Sequence, residues 1–220
     1  MQPTTASGFE RLRALTALEA RVLGVLVEKR ATVPDTYPLS LNALVAGCNQ
    51  KTARDPVMSA SDADVLTAID GLKSMSLVFE GSASRVVKFE HNTARVLGVP
   101  DQSVALLATL MLRGPQTAAE LRLNCERLHR FADISSVEGF LEEMTTKEPP
   151  RVVKLARAPG SRESRWAHLL CGDVPQLQST SQEPAAAPSQ WQQLEARVAA
   201  LEAQVASLLR SGTNESGGAE

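Results

Sequence analysis

Apolar residues in the first 172 positions recur at helical spacing in separate blocks, and the blocks open on a common signature. A Ser or Thr followed three residues later by an acid can satisfy orphan backbone N–H groups from both directions, and this spacing occurs at Thr16/Glu19, Ser61/Asp64, Thr117/Glu120 and Ser135/Glu138. Behind these caps run Leu18, Val22, Val25 and Leu26, then Val65, Ile69 and Leu72, and later Val137, Phe140, Leu141 and Met144. Each set lies on one face of a helix. Middle helices are predicted from Leu41, Leu44, Val45 and Cys48, and from Leu121, Cys125 and Leu128. Two extended runs follow each third helix, Leu77–Glu80 with Arg85–Glu90 and Arg151–Ala156 with Ser164–Leu170. Gly81 and Pro159-Gly160 supply the turns.

The order of three helices and a hairpin therefore occurs twice, over 14–96 and over 97–172. It predicts a mainly α chain with small β-hairpins (α+β), built as two tandem winged-helix domains. A loop of about a dozen residues, Asn49–Ala60, lengthens the first. Residues 173–189 are rich in Gln, Ser, Pro and Ala, without apolar period, and read as a disordered linker. Over 190–210 Trp191, Leu194, Val198, Leu201, Val205 and Leu208 alternate at spacings of three and four. Val at a and Leu at d favour a parallel two-stranded coiled coil, so a homodimer through this helix is expected. Residues 211–220 read as a disordered tail.

Charge refines this picture more than bulk composition does. The chain has 220 residues, 43% hydrophobic, and a formal charge of −2. Lys and Arg outnumber Asp and Glu by 11 to 10 in residues 1–96 and by 10 to 9 in 97–172, while 173–220 holds 2 against 6. Neither domain is basic overall, which argues against indiscriminate nucleic-acid binding and leaves local patches. Cys48, Cys125 and Cys171 lack paired spacing, so neither disulfides nor a zinc site is expected. His91, His129 and His168 are scattered singly, Cys48 sits at an apolar helical position, and no phosphate-cradling glycine loop or Gly-flanked nucleophile occurs. No catalysis, metal or cofactor is expected. The apolar run Val22–Val27 is too short to span a bilayer, and a cytoplasmic protein without membrane attachment is expected.

A winged helix that reads DNA usually inserts its third helix into the major groove. Here those helices are acidic, with Asp62, Asp64 and Asp70 in one and Glu138, Glu142 and Glu143 in the other. An acidic helix meets repulsion at a phosphate-lined groove. The candidate phosphate contacts are instead Lys51 and Arg54 in the first-domain loop, Arg85 and Lys88 in its wing, and Arg151, Lys154, Arg157, Arg162 and Arg165 in the second wing. The leading expectation is a non-enzymatic, DNA-associated, regulator-like protein that grips the backbone of double-stranded DNA. The alternative is a protein-protein interaction scaffold that binds no nucleic acid.

Leu15-Thr16-Ala17-Leu18-Glu19-Ala20-Arg21-Val22, Tyr37-Pro38-Leu39-Ser40, Cys48-Asn49-Gln50-Lys51, Arg54-Asp55-Pro56-Val57 and Pro159-Gly160-Ser161-Arg162-Glu163-Ser164-Arg165 together resemble the bacterial YceH-like family. The resemblance covers about residues 15–170. It implies a cytosolic bacterial protein with two winged helices, often followed by a short coiled coil, and it brings no established biochemical activity. The most distinctive stretch, Asn49 through Val57, lies in the long loop, where a binding role and a role in tying the loop down are both open.

Overall fold

The structure is a computed structural model that describes residues 12–81, 86–157, 163–172 and Arg197. Residues 12–172 belong to one compact unit, and Arg197, helical and exposed, belongs to a second that begins at Leu177. The expected linker, heptad positions and tail lie otherwise outside the described residues.

The first half runs α1 (Ala17–Thr32), a short 3-10 turn, β1 (Leu39–Ser40), α2 (Leu41–Cys48), α3 (Asp62–Ser74), β2 (Val78–Gly81) and β3 (Lys88–His91). A short α4 (Thr93–Leu97) leads to α5 (Asp101–Arg113), α6 (Ala118–Asn124), α7 (Ile134–Thr145), β4 (Val152–Lys154) and β5 (Trp166–His168). The class is thus α+β, helices with two small antiparallel sheets. Caps explain most helix starts: Thr16, Ser61 and Thr117 each form the full two-way box with Glu19, Asp64 and Glu120. The fourth expected box does not form. Asp133 caps α7, its carboxylate accepting from the Ser136 backbone N–H at 2.7 Å, so the helix begins before Ser135. Aspartate there is as good a cap as serine and stands two residues earlier. Gly98, at φ 63°, closes α4 in the left-handed conformation that ends many helices.

Pairing repeats along with element order. In the first sheet β3 lies centrally between β1 and β2, with Leu39 opposite Phe89 and Phe79 opposite Glu90. In the second half β4 pairs with β5, and Gln116, which occupies the place in the order that β1 holds in the first half, bridges Trp166 through two backbone hydrogen bonds of 2.7 and 3.1 Å. A two-residue strand and a single bridge are too short to leave any alternation in the sequence, and neither was legible there.

The two halves do not keep separate cores. α1 is buried at every position from Glu19 to Val27, and α5 at every position from Ser103 to Leu112. A helix buried all round needs cover on all sides. For α1 this comes from α2 and α3 of its own half and from α5 of the other. Gly24 lets α1 and α5 approach closely: a Cβ there would lie 3.0 Å from Leu112 Cγ and 3.4 Å from Met111 Cβ. Return contacts close the unit, with the Leu15 N–H donating to Leu170 O at 2.8 Å and the Asp55 N–H to Leu112 O at 2.8 Å.

Gly24→Val should overpack the α1–α5 contact and lower unfolding stability by about 1–3 kcal/mol. Urea denaturation followed separately at the tryptophan of β5 and by helical circular dichroism should shift in one step. An unchanged midpoint would mean the two helices do not depend on that approach.

Candidate functional site

The long loop and the two hairpins carry the expected phosphate contacts, and the loop is the most constrained of the three. Its ends are joined by Asn49, which caps α2 and whose side chain both donates to Ala60 O and accepts from the Ala60 N–H, each at 2.8 Å. Arg54 then spends all of its donors on the fold. Its Nε donates to Gly47 O at 3.1 Å, and Nη1 to Ala53 O at 2.9 Å and Glu28 Oε1 at 3.1 Å. Nη2 donates to Glu28 Oε2 and Gln50 Oε1, each at 2.6 Å. The Glu28 pair is bidentate and the Arg54 side chain is fully enclosed. Arg54 is therefore an internal clamp and no surface on which a phosphate could rest. Burial works to raise the Glu28 carboxyl, but the hydrogen bonds and charge of Arg54, with those of Lys29, outweigh it and hold the group below the ordinary carboxylate range.

Beside this clamp lies a second interior arginine. Arg21, only 1% exposed, donates to Cys48 O at 3.1 Å and to Pro56 O at 2.6 Å. Burial, and then the nearby Arg54 charge, hold its pKa below the usual arginine value. Arg21 is not singled out by its sequence position because it falls in an apolar run. The signal available was a charged residue inside a stretch otherwise apolar on every face. Cys48, adjoining both arginines, is fully buried, and burial pushes its thiol up to about 11, which leaves it protonated and inert at neutral pH.

The other expected contacts are dispersed. Arg151 is also interior, under the start of β4, which removes it from the wing surface. Arg165 is exposed but committed, donating to Pro115 O at 2.8 Å and to Glu120 at 3.0 Å. Lys154 is exposed, its Nζ 5.2 Å from the Trp166 ring centroid, and Arg157 and Lys51 are exposed as well. Lys88 is half-buried on the outer face of the first hairpin, two residues from Glu90 on the same face. Arg85 and Arg162 lie outside the described residues. Alternation along a strand does not foretell the burial of Arg151, which lies beside residues distant in sequence such as Leu15, Leu23, Leu77 and Leu97.

The acids and several apolar side chains are what the surface presents. Asp62, Asp64 and Asp70 of α3 and Glu142 and Glu143 of α7 are exposed, with Glu138 half-buried. Leu66 on α3 is 42% exposed, and the first hairpin shows Phe79 at 46% and Val86 at 57%. Among the described residues no group of three His, Cys, Asp or Glu side chains is placed to hold a metal ion, and no helix is long and apolar enough to cross a membrane.

Residues 15–161 match the family described as "Protein of unknown function, DUF480". A UPF0502 protein of Burkholderia pseudomallei is 64% identical over 210 residues, covering 93% of this chain and 90% of its own. Another, from Leptothrix cholodnii, is 75% identical over 162 residues, covering 74% and 73%. A third, from Paraburkholderia xenovorans, is 74% identical over 163 residues, covering 74% and 69%. The chain belongs to the DUF480 family. These relatives are bacterial, in agreement with the resemblance read from the motifs. The DUF480 match spans both halves of the compact unit, including the loop that Arg54 clamps.

Replacing Arg54 by Met should cost about 3–5 kcal/mol of stability, since it strands a half-enclosed carboxylate and three backbone or side-chain acceptors. The pH dependence has a definite sign. Glu28 titrates lower in the folded chain than the ordinary carboxylate value of 4.5, so its contribution is complete above that pH and is lost as pH falls through the folded value. Urea midpoints between neutral pH and about pH 3 should fall less steeply in Glu28→Gln than in the parent; equal slopes would remove the pair from the account.

Proposed function

We propose that this chain is a non-enzymatic pair of tandem winged helices that serves as a protein-binding scaffold. Helix, short strand, two helices and a hairpin that returns to pair with the short strand is the winged-helix arrangement, and element order and pairing support it in both halves. The observation that carries the function is the surface of α3, where Asp62, Leu66 and Asp70, spaced by four, expose two carboxylates around a leucine. In a DNA groove these carboxylates would face phosphate. Against a protein segment that carries basic and apolar side chains they are complementary. The exposed Phe79 and Val86 of the first hairpin fit the same reading, since apolar side chains at a wing give nothing to a phosphate backbone.

A second reading keeps DNA, through the second hairpin alone, and is favoured by the exposed Lys154, Arg157 and Arg165. A random duplex titrated across a salt series separates the two. Each phosphate contact contributes a slope of about −0.9 in log affinity against log salt, and replacing those three residues by Ala should flatten it accordingly if DNA is gripped there. On the scaffold reading binding is undetectable even at low salt, whereas Leu66→Asp with Asp70→Lys abolishes capture of a partner that the parent chain retains. A steep slope removed by the hairpin variant would overturn the scaffold.

We also propose self-association through the heptad residues Trp191, Leu194, Val198, Leu201, Val205 and Leu208. Sedimentation of the full chain should show a dimer, and Leu201→Pro, costing about 3 kcal/mol inside a helix, should give a monomer. A dimer that survives Leu201→Pro would place the contact elsewhere.

A further inference from the structure

Within the compact unit a cavity of about 280 Å³ lies where α1, the long loop, the end of α5 and β5 meet. That is just below the roughly 300–1,000 Å³ typical of sites for drug-sized molecules. Arg21 forms part of its wall, and the guanidinium is supplied only with carbonyl partners: its Nε has no hydrogen-bond partner, and no carboxylate among the described residues stands within ion-pair distance. Asp55 is the carboxylate whose charge acts favourably on Arg21, from beyond ion-pair distance, so among the described residues the guanidinium has a counter-charge but no carboxylate in contact, the partner that satisfies it best. Asp55, from the loop, lines the same cavity from an exposed position. Its backbone N–H is pinned to Leu112 O at 2.8 Å, while its carboxylate takes no hydrogen bond or ion pair among the described residues. Met58, Leu110, Met111 and Ala167 give the same cavity an apolar lining. His168 Nδ1, enclosed and without a partner, adds a neutral polar group, burial having pulled the imidazole down to about 4.

We propose that this cavity binds a small zwitterion with an apolar side chain, a free aliphatic α-amino acid being the simplest, its carboxylate directed to Arg21 and its ammonium to Asp55. The charges decide the class. An inorganic anion would be opposed by the Asp55 carboxylate, and a metal cation by the enclosed guanidinium. A purely apolar molecule would make no polar contact with either. A zwitterion answers each charge with its opposite, keeps the site neutral and lays its side chain on the methionines and leucine. Because the lining comes from both halves, the bound molecule bridges them. This goes beyond the scaffold reading and stands whether the surface partner is a protein or DNA.

Isothermal titration of the full chain with L-leucine, L-methionine and L-valine provides the test, with isocaproate and isoamylamine as leucine analogues lacking the amine or the carboxylate. At least one amino acid should bind in the millimolar range or tighter, and for leucine each analogue should be weaker by about tenfold or more. Asp55→Asn, at an exposed position anchored through its backbone, should leave the chain folded, with at most a small fall in melting temperature from the charge that Asp55 lends Arg21, and reduce leucine to the affinity of isocaproate. Arg21→Met would abolish binding but also threatens folding, so Asp55→Asn is the decisive variant. The proposal is overturned if none of the three amino acids binds the parent, if isocaproate binds as tightly as leucine, or if Asp55→Asn binds leucine as the parent does.

Discussion

Everything in the compact unit depends on α1 and α5 burying each other. Neither helix has a solvent face through its middle, so neither half can bury its first helix without the other. At about 25 cal/mol per Å² of apolar surface, stripping one partner away would expose side chains whose burial stabilises the fold by several kcal/mol. Gly24 leaves no room for a side chain against Leu112 and Met111, and the hydrogen bond from the long loop to Leu112 O at the end of α5 is made beside that contact.

The second constraint is electrostatic. Arg21 and Arg54, two of the three interior arginines, must be answered by oxygen atoms, and the end of α2 and the loop supply them: carbonyls of Gly47, Cys48, Ala53 and Pro56, the amide of Gln50, and from α1 the carboxylate of Glu28. Local order in a segment without helix or strand is thereby explained. Polar side chains there do the work that apolar side chains do in helices, and they impose directions that apolar contacts do not.

Much of this was legible in the sequence and some was not, for physical reasons. Three of four capping boxes form because a cap is decided within four residues, and Ser135 lost to Asp133 by the same local rule. The hairpins appear near their expected places, though shorter. The sharing of one core was hidden because an apolar stripe at Leu18, Val22, Val25 and Leu26 looks the same whether one side of the helix is covered or all of it; Leu23, Gly24 and Val27 carried that information. Among the site residues, Lys51, Lys154 and Arg157 are exposed as expected. Arg54 and Arg151 are interior, because charge in a sequence records the presence of a cation and not the carboxylate or backbone that folds over it.

The hydrogen bond from Leu15 to Leu170, with Gly172 lying against Ala14, brings the beginning and the end of the unit together. Topologically the unit is a ring fastened by one clasp. Its linear order is therefore incidental to its interior: a chain joined at that clasp and opened at a surface turn elsewhere would bury the same side chains. Tension applied through Ala14 and Gly172 would likewise load the clasp before the helices.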